Sequence, residues 1–196
     1  MTPDDALELL IAGNKRFVEG KLSLSQKIAD QRNEVVVHGQ HPFASILCCS
    51  DSRVPPELIF DQGLGKLFVV RVAGNISGPS EIGSLEFAVD HLETPLVVVL
   101  GHTKCGAVTA AWSDEKAPER VGYIINTIKP LVDKDKVLSS ESEREEAILQ
   151  TVKENVLKSI DVLINSSTPI KEQSDSGKLK VIGAVYNLAS GLVELM

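Results

Sequence analysis

Four short apolar segments constrain the fold of this chain more than any other feature. Each segment is β-rich and nearly continuous in apolarity, and each is separated from the next by enough residues to form a helix. The segments are Phe43–Cys49, Leu67–Val72, Leu96–Leu100 and Leu179–Tyr186. Buried parallel strands show this pattern because helices cover both faces of their sheet. The sequence therefore predicts an α/β fold with a mostly parallel central β-sheet flanked by helices.

The segments between and after these strands are predicted to form helices, a polar loop and a last strand. Crossover helices are expected over Ser80–Leu92, Ala107–Trp112 and Glu119–Val132. Ser142–Ile164 is the clearest helix, because its apolar residues recur on one face and its acids gather at its start. Asn165–Lys178 is expected to be a polar loop. Asn187–Gly191 is turn-like, which predicts that the last residues return as an antiparallel C-terminal edge strand.

Residues 1–37 are predicted to form an N-terminal helical arm within a single domain spanning residues 1–196. Thr2 supplies a capping hydroxyl, Pro3 takes the first helical position, and an acid follows three residues after the cap. A second, weaker helix is expected from about Gln26 to Val37. The first helix has an apolar stripe that could pack on its own domain or on a partner subunit. The stripe consists of Leu7, Leu10, Ile11, Phe17 and Val18.

Charge and length limit the kinds of partner and the role of any metal. The chain has 20 Lys and Arg against 27 Asp and Glu, a net charge of −7, and no basic cluster, which argues against nucleic acid or an anionic membrane as partner. We expect a cytoplasmic protein, because the start resembles no signal peptide and no stretch approaches the ~20 apolar residues of a membrane span. A chain of this length buries roughly 70% of its unfolded surface without a metal, so a bound metal would serve chemistry.

Candidate metal ligands follow two of the predicted strands. Ligands of open α/β sheets bind beyond the carboxyl ends of the strands. Cys48 and Cys49 end the first strand, and His102 and Cys105 follow the third. Two thiolates and an imidazole form a Cys₂His set for Zn²⁺ that leaves one tetrahedral vertex open. Cys48 and Cys49 point to opposite faces of a strand, so at most one of them can be a ligand, and periodicity does not say which.

Asp51 and Arg53 lie just beyond the first strand. They could form a local ion pair in a turn, with little effect on stability or function. Alternatively, Arg53 could hold Asp51 ionised, with one carboxylate oxygen facing whatever occupies the open zinc vertex.

The sequence Cys49-x-Asp51-Ser52-Arg53, followed by His102-x-x-Cys105-Gly106, resembles the β-class carbonic anhydrases. The similarity extends from about Gly39 through Val108 and includes the strand and turn near the C-terminus. The resemblance implies that Cys49, His102 and Cys105 bind one Zn²⁺ per chain. It also implies that Asp51 and Arg53 form a catalytic dyad that orients a zinc-bound hydroxide for attack on CO₂.

Three further residues match the substrate pocket of this family. The resemblance implies that Gln40 contributes to the pocket across a dimer interface, that Gly106 offers a backbone N–H and that Phe68 forms an apolar wall. The expected reaction is the reversible hydration of CO₂ to bicarbonate and a proton. The expected assembly is a homodimer or homotetramer.

Two other functions are compatible with the same residues. The family resemblance also covers enzymes that hydrolyse carbon disulfide or carbonyl sulfide on this fold. A non-catalytic protein with a structural zinc site is a second alternative, but such a site would normally close its tetrahedron with a fourth Cys or His. A thiol redox role is disfavoured because the chain has no Cys-x-x-Cys pair.

Overall fold

A single twisted sheet organises the computed structural model, which describes residues 1–23, 28–113, 117–133 and 138–196. In these residues the strands are β1 (Ala44–Cys48), β2 (Leu67–Arg71), β3 (Leu96–His102), β4 (Lys180–Tyr186) and β5 (Val193–Leu195). Their order across the sheet is β2-β1-β3-β4-β5. The first four strands are parallel and β5 is antiparallel to β4. The mostly parallel sheet and the antiparallel C-terminal edge strand are therefore confirmed.

The helices occupy most of the predicted positions. They are α1 (Pro3–Val18), α2 (Ile28–His38), α3 (Pro56–Ile59), α4 (Pro79–Asp90), α5 (Gly106–Ala111), α6 (Glu119–Ile128), α7 (Glu141–Ser166) and α8 (Thr168–Asp175). A 3₁₀ turn at Lys129–Leu131 extends α6, and another lies at Ala73–Asn75. The first two residues of the predicted second helix, 26 and 27, lie outside the described residues. No helix in the described part of the chain is both long enough and apolar enough to span a membrane.

The predicted polar loop over Asn165–Lys178 is wrong, because helix α8 forms there. The Ser167 hydroxyl caps this helix by accepting the backbone N–H of Ile170 at 3.3 Å, and a proline lies in its first turn. Ile170 is fully buried against Leu163 and Leu179. One buried anchor and a cap thus hold a helix whose other residues are mostly polar. The short helix α3 was also not predicted.

The two faces of the sheet bury different residues of the same strand. Ile46 and Cys48 pack on the face covered by α1, whereas Leu47 packs on the opposite face with residues of α4, α7 and α8. Cys49 belongs to a third apolar cluster with residues of α5, α6 and α7. The predicted separation of Cys48 and Cys49 onto opposite sides of the sheet is therefore confirmed.

Helix α1 packs on its own sheet with part of its apolar stripe. Leu10 is buried, and Leu7 and Phe17 pack against the same cluster, whereas Ile11 and Val18 remain exposed. The predicted capping box is present at its start. Asn14 fixes the helix more precisely, because its side chain binds backbone groups of α3 and of the C-terminal turn.

A partly buried ion pair connects the end of α1 to the chain after α3. The Asp61 side chain is fully buried and accepts hydrogen bonds from Arg16 and from the backbone N–H and hydroxyl of Ser23. Burial alone would raise the pKa of Asp61, but the bonds from Arg16 and Ser23 outweigh it and leave this pKa below its ordinary value.

Asp61→Asn tests this pair through the pH dependence of stability. A carboxyl group with a lowered pKa in the folded state stabilises the protein above its unfolded pKa of about 3.9 and loses this effect as the pH falls through the folded pKa. The substitution should therefore cost about 1–3 kcal/mol at pH 7, and less below about pH 4. Denaturation midpoints measured from pH 7 to pH 3 provide the test. The exposed Asp161→Asn is the control and should have little effect, and a constant Asp61→Asn deficit over the whole range would contradict the assignment.

Candidate metal centre

Three buried side chains converge at the carboxyl edge of the sheet. Cys49, His102 and Cys105 each offer one donor atom, and these atoms lie within 4.8 Å of one another. Cys49 follows β1, His102 is the last residue of β3, and Cys105 immediately precedes α5. Because β1 and β3 are adjacent and parallel, with Cys48 paired to Leu100, the two strands deliver their terminal residues to the same place.

The backbone between His102 and Cys105 turns sharply enough to direct both side chains inward. Lys104 has a φ of +55°, an uncommon conformation for a residue with a Cβ. Thr103 anchors the turn, because its N–H donates to the Tyr186 carbonyl at 3.0 Å and its hydroxyl accepts the Leu188 N–H at 3.0 Å. The turn after β4 thus supports the loop that carries two of the three candidate ligands.

A hydrogen bond to backbone sets the tautomer of His102. Its Nδ1 lies 2.9 Å from the Thr103 carbonyl oxygen, which can only accept, so Nδ1 carries the proton and Nε2 carries the free lone pair. Nε2 is buried and has no hydrogen-bond partner among the described residues. A buried acceptor of this kind is costly unless it is satisfied, and a metal ion would satisfy it.

The sulfur of Cys49 is surrounded by donors that favour its thiolate. The hydrogen bond from Cys105 is the main reason that the pKa of Cys49 is lowered, and the Gly74 N–H, 3.3 Å from the sulfur, adds to it. The thiolate is the form that binds metal. By contrast, burial raises the pKa of Cys48 to about 12, as expected for a core thiol away from the cluster.

The donor set fits zinc with an open vertex. Two sulfurs and one imidazole nitrogen are ligands that Zn²⁺ prefers. Coordination of such an ion would also satisfy the buried Nε2 of His102, which has no partner among the described residues. The cluster has three members among the described residues, and Cys48 lies on the other face of the sheet. Three protein ligands are the arrangement of catalytic rather than structural zinc sites.

Asp51 and Arg53 form a forked ion pair beside this cluster. Arg53 Nε donates to Asp51 Oδ1 at 2.9 Å and its Nη2 donates to Oδ2 at 2.7 Å, while the Arg53 backbone N–H also binds Oδ1 at 2.9 Å. These bonds from Arg53 hold the pKa of Asp51 well below its ordinary range. Asp51 Oδ2 lies 4.0 Å from His102 Nε2. The pair therefore places an ionised carboxylate beside the cluster.

Arg71 supports the loop that carries Cys49 and Asp51, a role that no motif in the sequence indicates. Its Nε donates to the Cys49 carbonyl at 3.2 Å and its Nη2 donates to the Asp51 carbonyl at 2.7 Å. The guanidinium thus holds the backbone on both sides of Ser50. Only the pairing of Cys48 with Arg71 across β1 and β2, a long-range contact, brings this side chain into place.

The three residues expected to bind substrate lie in different places. Gly106 begins α5 directly after Cys105, so it lies at the cluster. Gln40 is exposed before β1, at the amino end of a strand whose carboxyl end carries the cluster. Phe68 pairs with Ser45 near the start of β1 and packs against Phe87, with ring centroids 6.3 Å apart. Within one chain, the structure does not bring Gln40 or Phe68 to the cluster.

Comparisons with known proteins agree on one family. The family model described as carbonic anhydrase matches residues 44–193. Carbonic anhydrase 2 of Mycobacterium tuberculosis is 37% identical over 192 residues, covering 96% of this chain and 90% of the relative. The carbonic anhydrase of Mycolicibacterium smegmatis is 39% identical over 197 residues, covering 98% and 93%. The solved β-carbonic anhydrase CafA of Aspergillus fumigatus has a TM-score of 0.76 at 27% identity, covering 97% of this chain and 90% of its own.

The three cysteines allow a direct test of which side chains hold a metal. Cys49→Ala and Cys105→Ala should each lose most bound zinc, because each removes one of three ligands. Cys48→Ala is the matched control and should keep about one zinc per chain, since its sulfur faces the α1 side of the sheet. Metal content after dialysis, measured by mass spectrometry, gives the answer. Zinc loss in Cys48→Ala, or zinc retention in both of the other variants, would contradict the assignment.

Proposed function

Because the chain belongs to the β-class carbonic anhydrase family, we propose that it hydrates CO₂ reversibly to bicarbonate and a proton with a zinc ion held by Cys49, His102 and Cys105. Membership of the family makes the chain a carbonate dehydratase.

The observation that carries the proposal is the ionised carboxylate beside a buried three-ligand cluster. A structural zinc site has no use for Asp51, whereas a hydrating enzyme needs a hydrogen-bond acceptor beside its nucleophile. Asp51 Oδ2 lies 4.0 Å from the unpaired nitrogen of His102, and both Asp51 oxygens are held by Arg53.

Each residue has a distinct task in the proposed reaction. When bound, zinc supplies a Lewis acid that makes water a nucleophile at neutral pH. Asp51 remains ionised, accepts a hydrogen bond at Oδ2 and thereby orients the attacking oxygen. Arg53 fixes both carboxylate oxygens, and Arg71 fixes the backbone on either side of them. Gly106, at the start of α5, offers its backbone N–H to a substrate oxygen.

A partner subunit would supply Gln40 and Phe68. These residues lie toward the amino ends of β1 and β2, away from their own chain's cluster, so they can serve as substrate contacts only for another copy. Helix α2, which ends two residues before Gln40, exposes Val36 and Val37 at 78% and 74%. Apolar side chains that are exposed in a single chain are typical of a surface that a partner subunit covers. We therefore propose a homodimer or homotetramer whose sites lie between subunits.

Substitution of Asp51 tests the dyad. Asp51→Asn keeps the shape but loses the negative charge and one acceptor oxygen, so kcat/KM for CO₂ hydration should fall by about 10²-fold or more while zinc content is unchanged. Arg53→Ala should cost less, because the carboxylate remains. Stopped-flow CO₂ hydration with a pH indicator measures both variants, and exposed Asp90→Asn in α4 should retain the wild-type rate. A fully active Asp51→Asn protein would contradict the dyad.

Mixed subunits test whether Gln40 acts across an interface. Gln40→Ala retains its zinc ligands and Cys105→Ala retains Gln40, so a mixed dimer contains one complete site. After the two inactive proteins are dissociated and reassembled together, activity should rise to about a quarter of the wild-type value, because half of random dimers are mixed. Activity equal to the average of the two separate variants would show that Gln40 is not shared.

A further inference from the structure

The tight turn at Ala73–Asn75 presents a backbone N–H to the sulfur of Cys49. The Gly74 N–H lies 3.3 Å from this sulfur, and Gly74 and Asn75 have φ values of +71° and +44°. Two successive residues in the left-handed region are costly where the second has a Cβ. Both residues are buried, so their carbonyl groups also need partners inside the protein.

Helix α7 supplies these partners from two consecutive turns. Asn155 Nδ2 donates to the Gly74 carbonyl at 2.7 Å, and Ser159 Oγ donates to the Asn75 carbonyl at 3.0 Å. The two residues are four apart and therefore lie on one face of the helix. Both are buried, at 2% and 3% exposure. A polar pair on the packed face of a long helix is unfavourable unless it is fully hydrogen-bonded.

The hydrogen bonds from α7 fix Gly74, the residue of this turn whose backbone is freest to move. Glycine has no Cβ to restrict its dihedrals, so the direction of the Gly74 N–H depends on how the adjacent peptide groups are held. Asn155 holds the carbonyl side of Gly74, while the packing of Ile128 and Ala107 closes the space around its Cα. Cys105 lies directly before the first turn of α5. No helix begins directly after Cys49. The Gly74 N–H of the 73–75 turn is the backbone donor to its sulfur.

We propose that Asn155, with Ser159, is a positioning residue of the metal centre: it sets the Gly74 N–H on the Cys49 sulfur and so controls how much electron density that thiolate gives to the metal. The inference rests on the proposed zinc site. A hydrogen bond to a ligand sulfur lowers the energy of its lone pairs, which makes the thiolate a weaker donor and the metal a stronger Lewis acid. Helix α7 contributes no ligand, yet it acts on the metal through one hydrogen bond and one peptide unit.

Cobalt substitution makes this effect visible separately from activity. In Co²⁺-loaded protein, the thiolate-to-cobalt charge-transfer band reports the lone-pair energy of the ligand sulfurs. Asn155→Leu removes the donor and keeps the branched shape of the side chain, so the band should move to longer wavelength. Zinc affinity, measured by competition with a chelator, should fall by about 10- to 100-fold, because Cys49 loses the outer-shell contact that holds it in position for the metal, and this loss outweighs the stronger donation by the sulfur. Ser159→Ala, a milder change, should move both readouts in the same direction by less.

Thr151→Val is the matched control on the same helix. Thr151 is buried on α7, where its hydroxyl binds the Ala147 carbonyl and accepts the Trp112 indole N–H. Its substitution should lower the denaturation midpoint but leave the band and the zinc affinity unchanged. An unshifted band and unchanged zinc affinity in both Asn155→Leu and Ser159→Ala, or an equal shift in Thr151→Val, would overturn the inference. A wild-type protein that shows no thiolate band would overturn the zinc site itself, and the inference with it.

Discussion

The parallel pairing of β1 with β3 is the contact on which the rest of the site depends. Parallel neighbours end at the same edge of a sheet, so Cys49 after β1 and His102 at the end of β3 meet although more than fifty residues separate them. The loop from His102 to Cys105 then returns the third donor to the same point. Because strands alternate their side chains between faces, Cys48 packs in the core below α1 and Cys49 lies in the candidate metal centre.

Around this point, hydrogen bonds hold the neighbours of His102 in place, while His102 Nε2 has no hydrogen-bond partner in the described part of the chain. His102 Nδ1 donates a hydrogen bond to the Thr103 carbonyl, so Nε2 faces the cluster with its lone pair. Arg53 donates hydrogen bonds to both carboxylate oxygens of Asp51, and Arg71 donates to the carbonyl oxygens of Cys49 and Asp51. A site held in this way needs little rearrangement when a metal and a substrate arrive, which is where preorganised enzymes gain their rate.

Much of the fold and of the candidate centre could be predicted, because the evidence for them is local. Continuous apolar runs mark buried parallel strands, and two cysteines and a histidine at strand ends point to zinc before any relative is considered. The missed features depend on contacts between distant segments. Helix α8 is held by one buried residue, Ile170, in a polar stretch that reads as a loop. Asn155 and Ser159 interrupt the apolar face of α7, and only the position of the 73–75 turn, some eighty residues earlier in the chain, explains them.

The central claim is that Cys49, His102 and Cys105 hold one zinc ion and leave its fourth position free for the reacting water. A crystal structure of the zinc-loaded protein at neutral to alkaline pH tests this most directly. The account predicts two sulfurs at about 2.3 Å and His102 Nε2 at about 2.0–2.1 Å from the metal, with a solvent molecule rather than a side chain in the fourth position, hydrogen-bonded to Asp51. Zinc bound through Cys48, through His102 Nδ1, or within four protein ligands would contradict it.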